Sequence, residues 1–265
     1  VLAGSFAAIL LSGIMIYNFE IKPWPIENIL VLDGISYLTA SLIISFIKHT
    51  PRKNINFKQK SIINRLKIGF RFLSTKKLIL IYGICSHIVF AFLLVELFTL
   101  LPLLIKNFFQ KGAYLFAITD VCYACGALLS GFFIYKLAQH YNKIKLTIAL
   151  IILTSCFILI LISNKYITSL LLISIFLGMA NSGIRIIRNS FLFDNIPNIY
   201  IGRVTSIFNS INTTIRMSLI FLFSLNYFST GENVIEGYII CAITLILFCT
   251  PIIYFYNDLK RNCII

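Results

Sequence analysis

The chain has 265 residues, 59% of them hydrophobic and only 12% charged, with a formal net charge of +14. A water-soluble domain carries about 25% charged residues, so a single aqueous core is excluded. The positive charge is gathered in connectors between apolar stretches, which argues against nucleic acid as a partner.

A helix needs roughly 20 mostly apolar residues to cross a bilayer. Backbone groups must be paired within lipid, and helices pair them internally. Apolar runs predict spans near 1–17, 28–47, 78–105, 114–137, 146–163, 167–190, 205–228 and 236–257. Strict alternation of the barrel type is missing. The fold class is therefore all-α, a polytopic membrane helix bundle. The first span opens at Val1 and reads as a helix cut at its start, so we expect the C-terminal part of a longer protein.

The connector 18–27 carries two prolines and Trp24, an interfacial aromatic. The next connector, 48–77, holds ten Lys/Arg and no acid. Its first part, 48–60, is polar and broken by Pro51. From Ser61, Ile62, Ile63, Leu66, Phe70 and Leu73 interleave with Arg65, Lys67 and Arg71. That pattern fits an amphipathic helix on anionic membrane lipid, with a solvated linker as the alternative. Six spans with short connectors follow. The expected division is 1–47, the last two spans of an N-terminal half; 48–77, a basic cytoplasmic linker; and 78–265, a six-span half.

Lys and Arg resist translocation, so basic connectors stay cytoplasmic. With 48–77 inside, alternation places 18 of the 23 Lys/Arg on that side and four outside, with Arg216 within a span. The expected location is a cell membrane, of the bacterial inner-membrane type, with the C-terminus cytoplasmic.

Small residues mark helix contacts: Gly4 and Ala8 in the first span, Gly126, Ser130 and Gly131 in the fourth, Gly178, Ser182 and Gly183 in the sixth. Cys122 and Cys125 have metal-like spacing but lie within an apolar span with no second pair, so they read as packing residues. No metal or cofactor is expected.

Charges inside spans are costly and are functional candidates. Asp33 lies near the start of the second span and reads as a helix-start or packing residue. Glu96 and Asp120 lie nine and six residues from the outer ends of adjacent spans, about 13 and 9 Å deep at 1.5 Å per residue. They suit a shared cavity that exchanges protons; separate solvation is the alternative. Arg216 is the deepest charge by position. Asn209 and Asn212 share its helical face, which suits an anionic substrate or a pairing with Asp120 or Glu96. His87 lies about half a helical turn away from Glu96 and reads as a packing histidine or a proton relay. Asn181 is a mid-membrane polar residue of the same ambiguity. Asp194 and Arg203 suggest a salt bridge at a cytoplasmic gate.

Three passages resemble the major facilitator superfamily, and within it the drug–proton antiporters that include macrolide and enterobactin-type siderophore exporters. They are Leu32 to Ala40 (LDGISYLTA), Gly131 to Leu146 (GFFIYKLAQHYNKIKL) and Pro197 to Ser206 (PNIYIGRVTS). The chain then corresponds to spans five to twelve, with four N-terminal spans missing. It departs from the family pattern at Ser5, where proline is usual, and at Asp194, where glutamine is usual. The resemblance implies a monomeric secondary transporter, exporting a small lipophilic or siderophore-like molecule in exchange for protons by alternating access. No nucleotide-binding Gly-x-x-x-x-Gly-Lys motif occurs. A membrane-embedded lipid-modifying enzyme would need clustered polar groups, whereas His49, His87 and His140 are dispersed. A truncated chain without transport activity is the other alternative.

Overall fold

Apolar segments without alternation close their hydrogen bonds within themselves, and helices dominate the molecule. The computed structural model describes residues 14–16, 19–21, 24–47 and 62–262. Two short strands, β1 (Ile14–Ile16) and β2 (Phe19–Ile21), pair antiparallel with Met15 opposite Glu20. The expected first span near 1–17 is corrected at residues 14–16, which are extended rather than helical; 1–13 and 17 lie outside the described residues. The Ile-Met-Ile and Phe-Glu-Ile runs are rich in β-branched and aromatic residues, which favour a pleated pair.

Helix α1 (Ile26–Ser45) starts after Pro25, with Glu27 favouring the positive end of the helix dipole. Its side chains are exposed apart from Ile29, as expected of a helix facing lipid. Helix α2 (Ile62–Thr75) lies in the basic connector. It is docked on protein: Leu73 is fully buried and the Phe72 ring stacks on Tyr200 at 4.7 Å.

The bundle proper follows: α3 (Lys77–Asn107), α4 (Ala113–His140), α5 (Lys143–Ser163), α6 (Ile167–Asn195), α7 (Asn198–Phe223), a single turn α8 (Asn226–Ser229), α9 (Val234–Tyr254) and α10 (Tyr256–Asn262). Asn142 caps α5, its Oδ1 accepting from the Ile144 backbone N–H at 2.9 Å. Pro251 inside α9 leaves the Leu247 carbonyl without its helical donor, and the Thr250 hydroxyl donates to it at 2.7 Å.

Six helices among the described residues are long and apolar enough to cross a membrane: α1, α3, α4, α5, α6 and α9. Helix α7 has the length but not the apolarity. It also begins at Asn198 and ends at Phe223, where 205–228 was expected, because Gly202 and Arg203 interrupt the apolar run of its first turns. Ser206, Ser210, Thr214 and Ser218 form a ladder on one exposed face, each hydroxyl donating to the carbonyl four residues earlier.

Helices α4 and α6 make the most extensive contact, α5 packs against α6 and α9, and α3 lies among α6, α7 and α9. The α4–α6 contact runs through glycine. A Cβ at Gly126 would lie 1.9 Å from the Ile175 carbonyl oxygen, and one at Gly178 would lie 2.0 Å from that of Tyr123. Gly131 has nothing within 4 Å and takes no part.

Side chains tie the two ends of the bundle. At one end Lys165 pairs with Glu232 at 2.6 Å and lies 4.5 Å from the Phe108 ring centre, while the Asn107 amide donates to the Ser229 carbonyl at 3.0 Å. There the Tyr227 hydroxyl donates to Glu236 at 2.6 Å, and that carboxylate pushes the phenol's pKa up. At the other end Lys143 pairs with Asp194 and donates to Ser190. The ion pair of Asp194 at this end is with Lys143, and the Arg203 Cβ lies against Gly69 of α2.

The Lys165 and Glu232 side chains are both more than half exposed, so water screens the pair. A double-mutant cycle with Lys165→Ala and Glu232→Ala, read by thermal unfolding in detergent, should give a coupling of at most about 1 kcal/mol that fades with added salt.

Candidate functional site

Proline at position 102 cannot donate to the Phe98 carbonyl, and its ring crowds that carbonyl. Helix α3 accommodates this with one wide π turn over Glu96–Leu100. Such turns mark functional sites often. Glu96 is the first residue of the turn and is 2% exposed. The Tyr238 hydroxyl on α9 donates to its Oε1 at 3.0 Å. A carboxylate so enclosed needs protonation or compensating donors.

Helix α4 places Asp120 and Tyr123 one turn apart on its buried face, and both are buried. The Tyr123 hydroxyl accepts a hydrogen bond from the Asn181 amide on α6. The glycine contacts bring these two helices close enough for it: Gly178 lies against the Tyr123 backbone, one turn from Asn181. Glu96, Asp120 and Arg185 all lie within electrostatic range of the Tyr123 phenol.

Beside it is a cavity of about 90 Å³, lined by Phe90, Leu97, Tyr123, Asn181, Ser182 and Arg185 among others. The Asn181 Oδ1 has no hydrogen-bond partner among the described residues.

Glu96 and Asp120 thus lie within electrostatic range of the phenol to which Asn181 donates. His87 does not join them. Its Nδ1 lies 2.7 Å from the Gly83 carbonyl and its ring stacks on Phe208 at 5.0 Å, the arrangement of a packing histidine. On α7, Asn212 is buried, Asn209 is exposed and Arg216 is half-buried. No ion pair of Arg216 with Asp120 or Glu96 occurs among the described residues. Asp33 is exposed on α1, its backbone carbonyl accepting from Ser36.

Among the described residues, the Lys or Arg buried in the bundle is Arg188, only 4% exposed. It donates to the Ser86 carbonyl at 3.2 Å and lies 5.5 Å from the Phe90 ring centre. Arg185 and Arg188 lie within α6, which runs to Asn195, beyond its apolar stretch. Tyr123 and Tyr238 were missed because a tyrosine in an apolar run carries no mark of its partner. One signal was legible: Pro102, six residues after Glu96.

No group of three or more His, Cys, Asp or Glu suited to a metal occurs among the described residues. The described cysteines, Cys122 and Cys125 included, are free thiols.

The Major Facilitator Superfamily model matches residues 1–221. The chain belongs to that superfamily. Its members are multi-pass membrane transporters of the secondary type, and the helical bundle is the fold expected of one. Among solved structures, one similar chain is described as a bacterial homolog of the human lysosomal transporter Spinster, inward-facing and unoccupied. It is 14% identical, with a TM-score of 0.44, and the match covers 99% of this chain and 65% of that one. This chain thus spans 65% of the length of that relative. No curated protein matches. The superfamily match does not separate its subgroups, so the likeness to drug–proton antiporters rests on the Pro197–Ser206 passage and its companions alone.

Proposed function

We propose that this protein is a proton-coupled secondary transporter that exports a small lipophilic or siderophore-like molecule by alternating access. The observation that carries the proposal is the enclosed Glu96, held by Tyr238 at a wide turn of α3 and grouped with Asp120 around Tyr123. A buried carboxylate that gains and loses a proton as access alternates is the element that coupling needs. One charge crossing 100 mV supplies about 2.3 kcal/mol. The polar face of α7 supports the same reading, since serines, threonines and asparagines in a membrane bundle face a cavity rather than lipid. Export, rather than uptake, rests on the family passages alone. The basic 48–77 connector favours a cytoplasmic placement of that side.

The test uses energised bacterial cells carrying the gene or an empty vector, and labelled erythromycin or a labelled catecholate siderophore as probe. Cells with the gene should accumulate at least one of these about fivefold less, a difference of about 1 kcal/mol in steady-state distribution. A protonophore should erase the difference. Equal accumulation of both probes overturns export of these classes, and a difference that survives the protonophore overturns proton coupling.

A further inference from the structure

We infer that the cavity beside Tyr123 binds the acid group of the cargo: the solute is an organic carboxylate with a hydroxyl next to its acid, taken by Arg185 and Asn181. The inference rests on the transporter reading and names the chemistry of what is carried.

The cavity wall has an uneven set of polar groups. Arg185 offers a planar fork of donors that matches a carboxylate, and no ion pair of Arg185 occurs among the described residues. The Ser182 hydroxyl and the Tyr123 phenol add donors. Tyr123 uses its lone pair for the Asn181 amide and keeps its own proton to give. Against these stands one acceptor without a partner, the Asn181 Oδ1, on a side chain 8% exposed. A buried amide oxygen left unpaired costs free energy that a ligand donor recovers. The pattern calls for an anion carrying a hydroxyl.

Electrostatics point the same way. Arg188 lies within range of Arg185, and its Nε has no hydrogen-bond partner among the described residues. Two guanidinium groups one turn apart on α6 attract an anion. Glu96 and Asp120 lie within electrostatic range of the same phenol. Phe90 and Leu97 form an apolar wall for a ring or short chain. About 90 Å³ admits a carboxylate with its neighbouring hydroxyl, and the rest of the cargo extends outward.

Salicylate supplies the acid, the hydroxyl and a ring; salicylamide lacks the charge, and benzoate lacks the hydroxyl. Their binding is measured by equilibrium dialysis on the full chain in lipid nanodiscs. Salicylate should bind at least about tenfold tighter than salicylamide. Arg185→Gln should remove that preference and Arg185→Lys should keep part of it. Asn181→Leu should erase the preference for salicylate over benzoate, with a thermal melt to show that each variant is folded. Equal binding of salicylate and salicylamide, no binding of salicylate, or a folded Arg185→Gln protein that binds it like the parent overturns the inference. Failure of the transporter reading shows separately when labelled salicylate joins the two probes of the cell accumulation assay: binding in nanodiscs with equal accumulation of all three keeps the site and overturns transport.

Discussion

Leucine at Gly126 or at Gly178 is expected to abolish recovery of folded protein. A single Cβ at either position would lie about 2 Å from a backbone carbonyl oxygen of the facing helix, at Ile175 or Tyr123. Carbon and oxygen do not approach that closely, and backbone cannot swing aside as a side chain does. Helices α4 and α6 would have to part along the largest contact of the bundle. Overpacking of this kind costs roughly 1–3 kcal/mol when side chains absorb it, and more when a helix must move. We expect more than about 4 kcal/mol, the range reserved for a named structural insult. The readout is monodispersity on size exclusion in detergent, with a thermal melt. Gly131→Ala is the control, because nothing lies within 4 Å of that position. It should leave the melt unchanged or raise it, since alanine is favoured over glycine in a helix by about 1 kcal/mol. Variants at 126 and 178 that melt like the parent would show that the α4–α6 contact is misplaced.

The second large effect is functional. Glu96→Gln should slow proton-driven export by about 100-fold or more while leaving solute exchange at equal concentrations intact. Glutamine has the shape of the protonated acid, and the Tyr238 hydroxyl can still donate to its amide oxygen, so the fold is kept. What is lost is the ability to release a proton. Uphill transport needs that release in each cycle; exchange does not. Tyr238→Phe removes the one described hydrogen bond to Glu96 and should cost about tenfold in the same assay, since a hydrogen bond to a charged group is worth roughly 1.5–3 kcal/mol. A Glu96→Gln protein that still concentrates solute against a gradient would move the coupling role elsewhere, with Asp120 as the next residue to change.

Much of the bundle was legible because lipid leaves the chain few choices. Long apolar runs with short polar breaks give helices, and α3, α4, α5, α6 and α9 lie where composition puts them. Helix α7 was displaced because an apolar run is a poor ruler for a helix whose exposed face carries Ser206, Ser210, Thr214 and Ser218. The residues Ile14–Ile16 were misread because three apolar residues look alike in a strand and in a helix end. Of the site, Glu96 and Asp120 stood out as acids in apolar surroundings, and their nearness followed from a short connector. Their partners did not stand out. The Tyr238 and Tyr123 contacts depend on tertiary placement, and Arg188 looked like the tail of a helix, not a part of its buried length.

The wide turn at Glu96–Leu100 has a further consequence for anyone comparing this helix with others. It inserts the equivalent of one residue into the winding of α3, a phase slip of about 100°. Angular bookkeeping that starts at His87 holds up to Glu96 and fails beyond it, so a stripe drawn through Leu101 or Leu104 from upstream positions lands on the wrong side. Cutting one residue between Leu97 and Leu100 would return the turn to ordinary winding and leave the residues after it facing as they do now. Two sequences that differ by such a gap can therefore present the same surfaces along the whole helix, although their residue counts disagree by one.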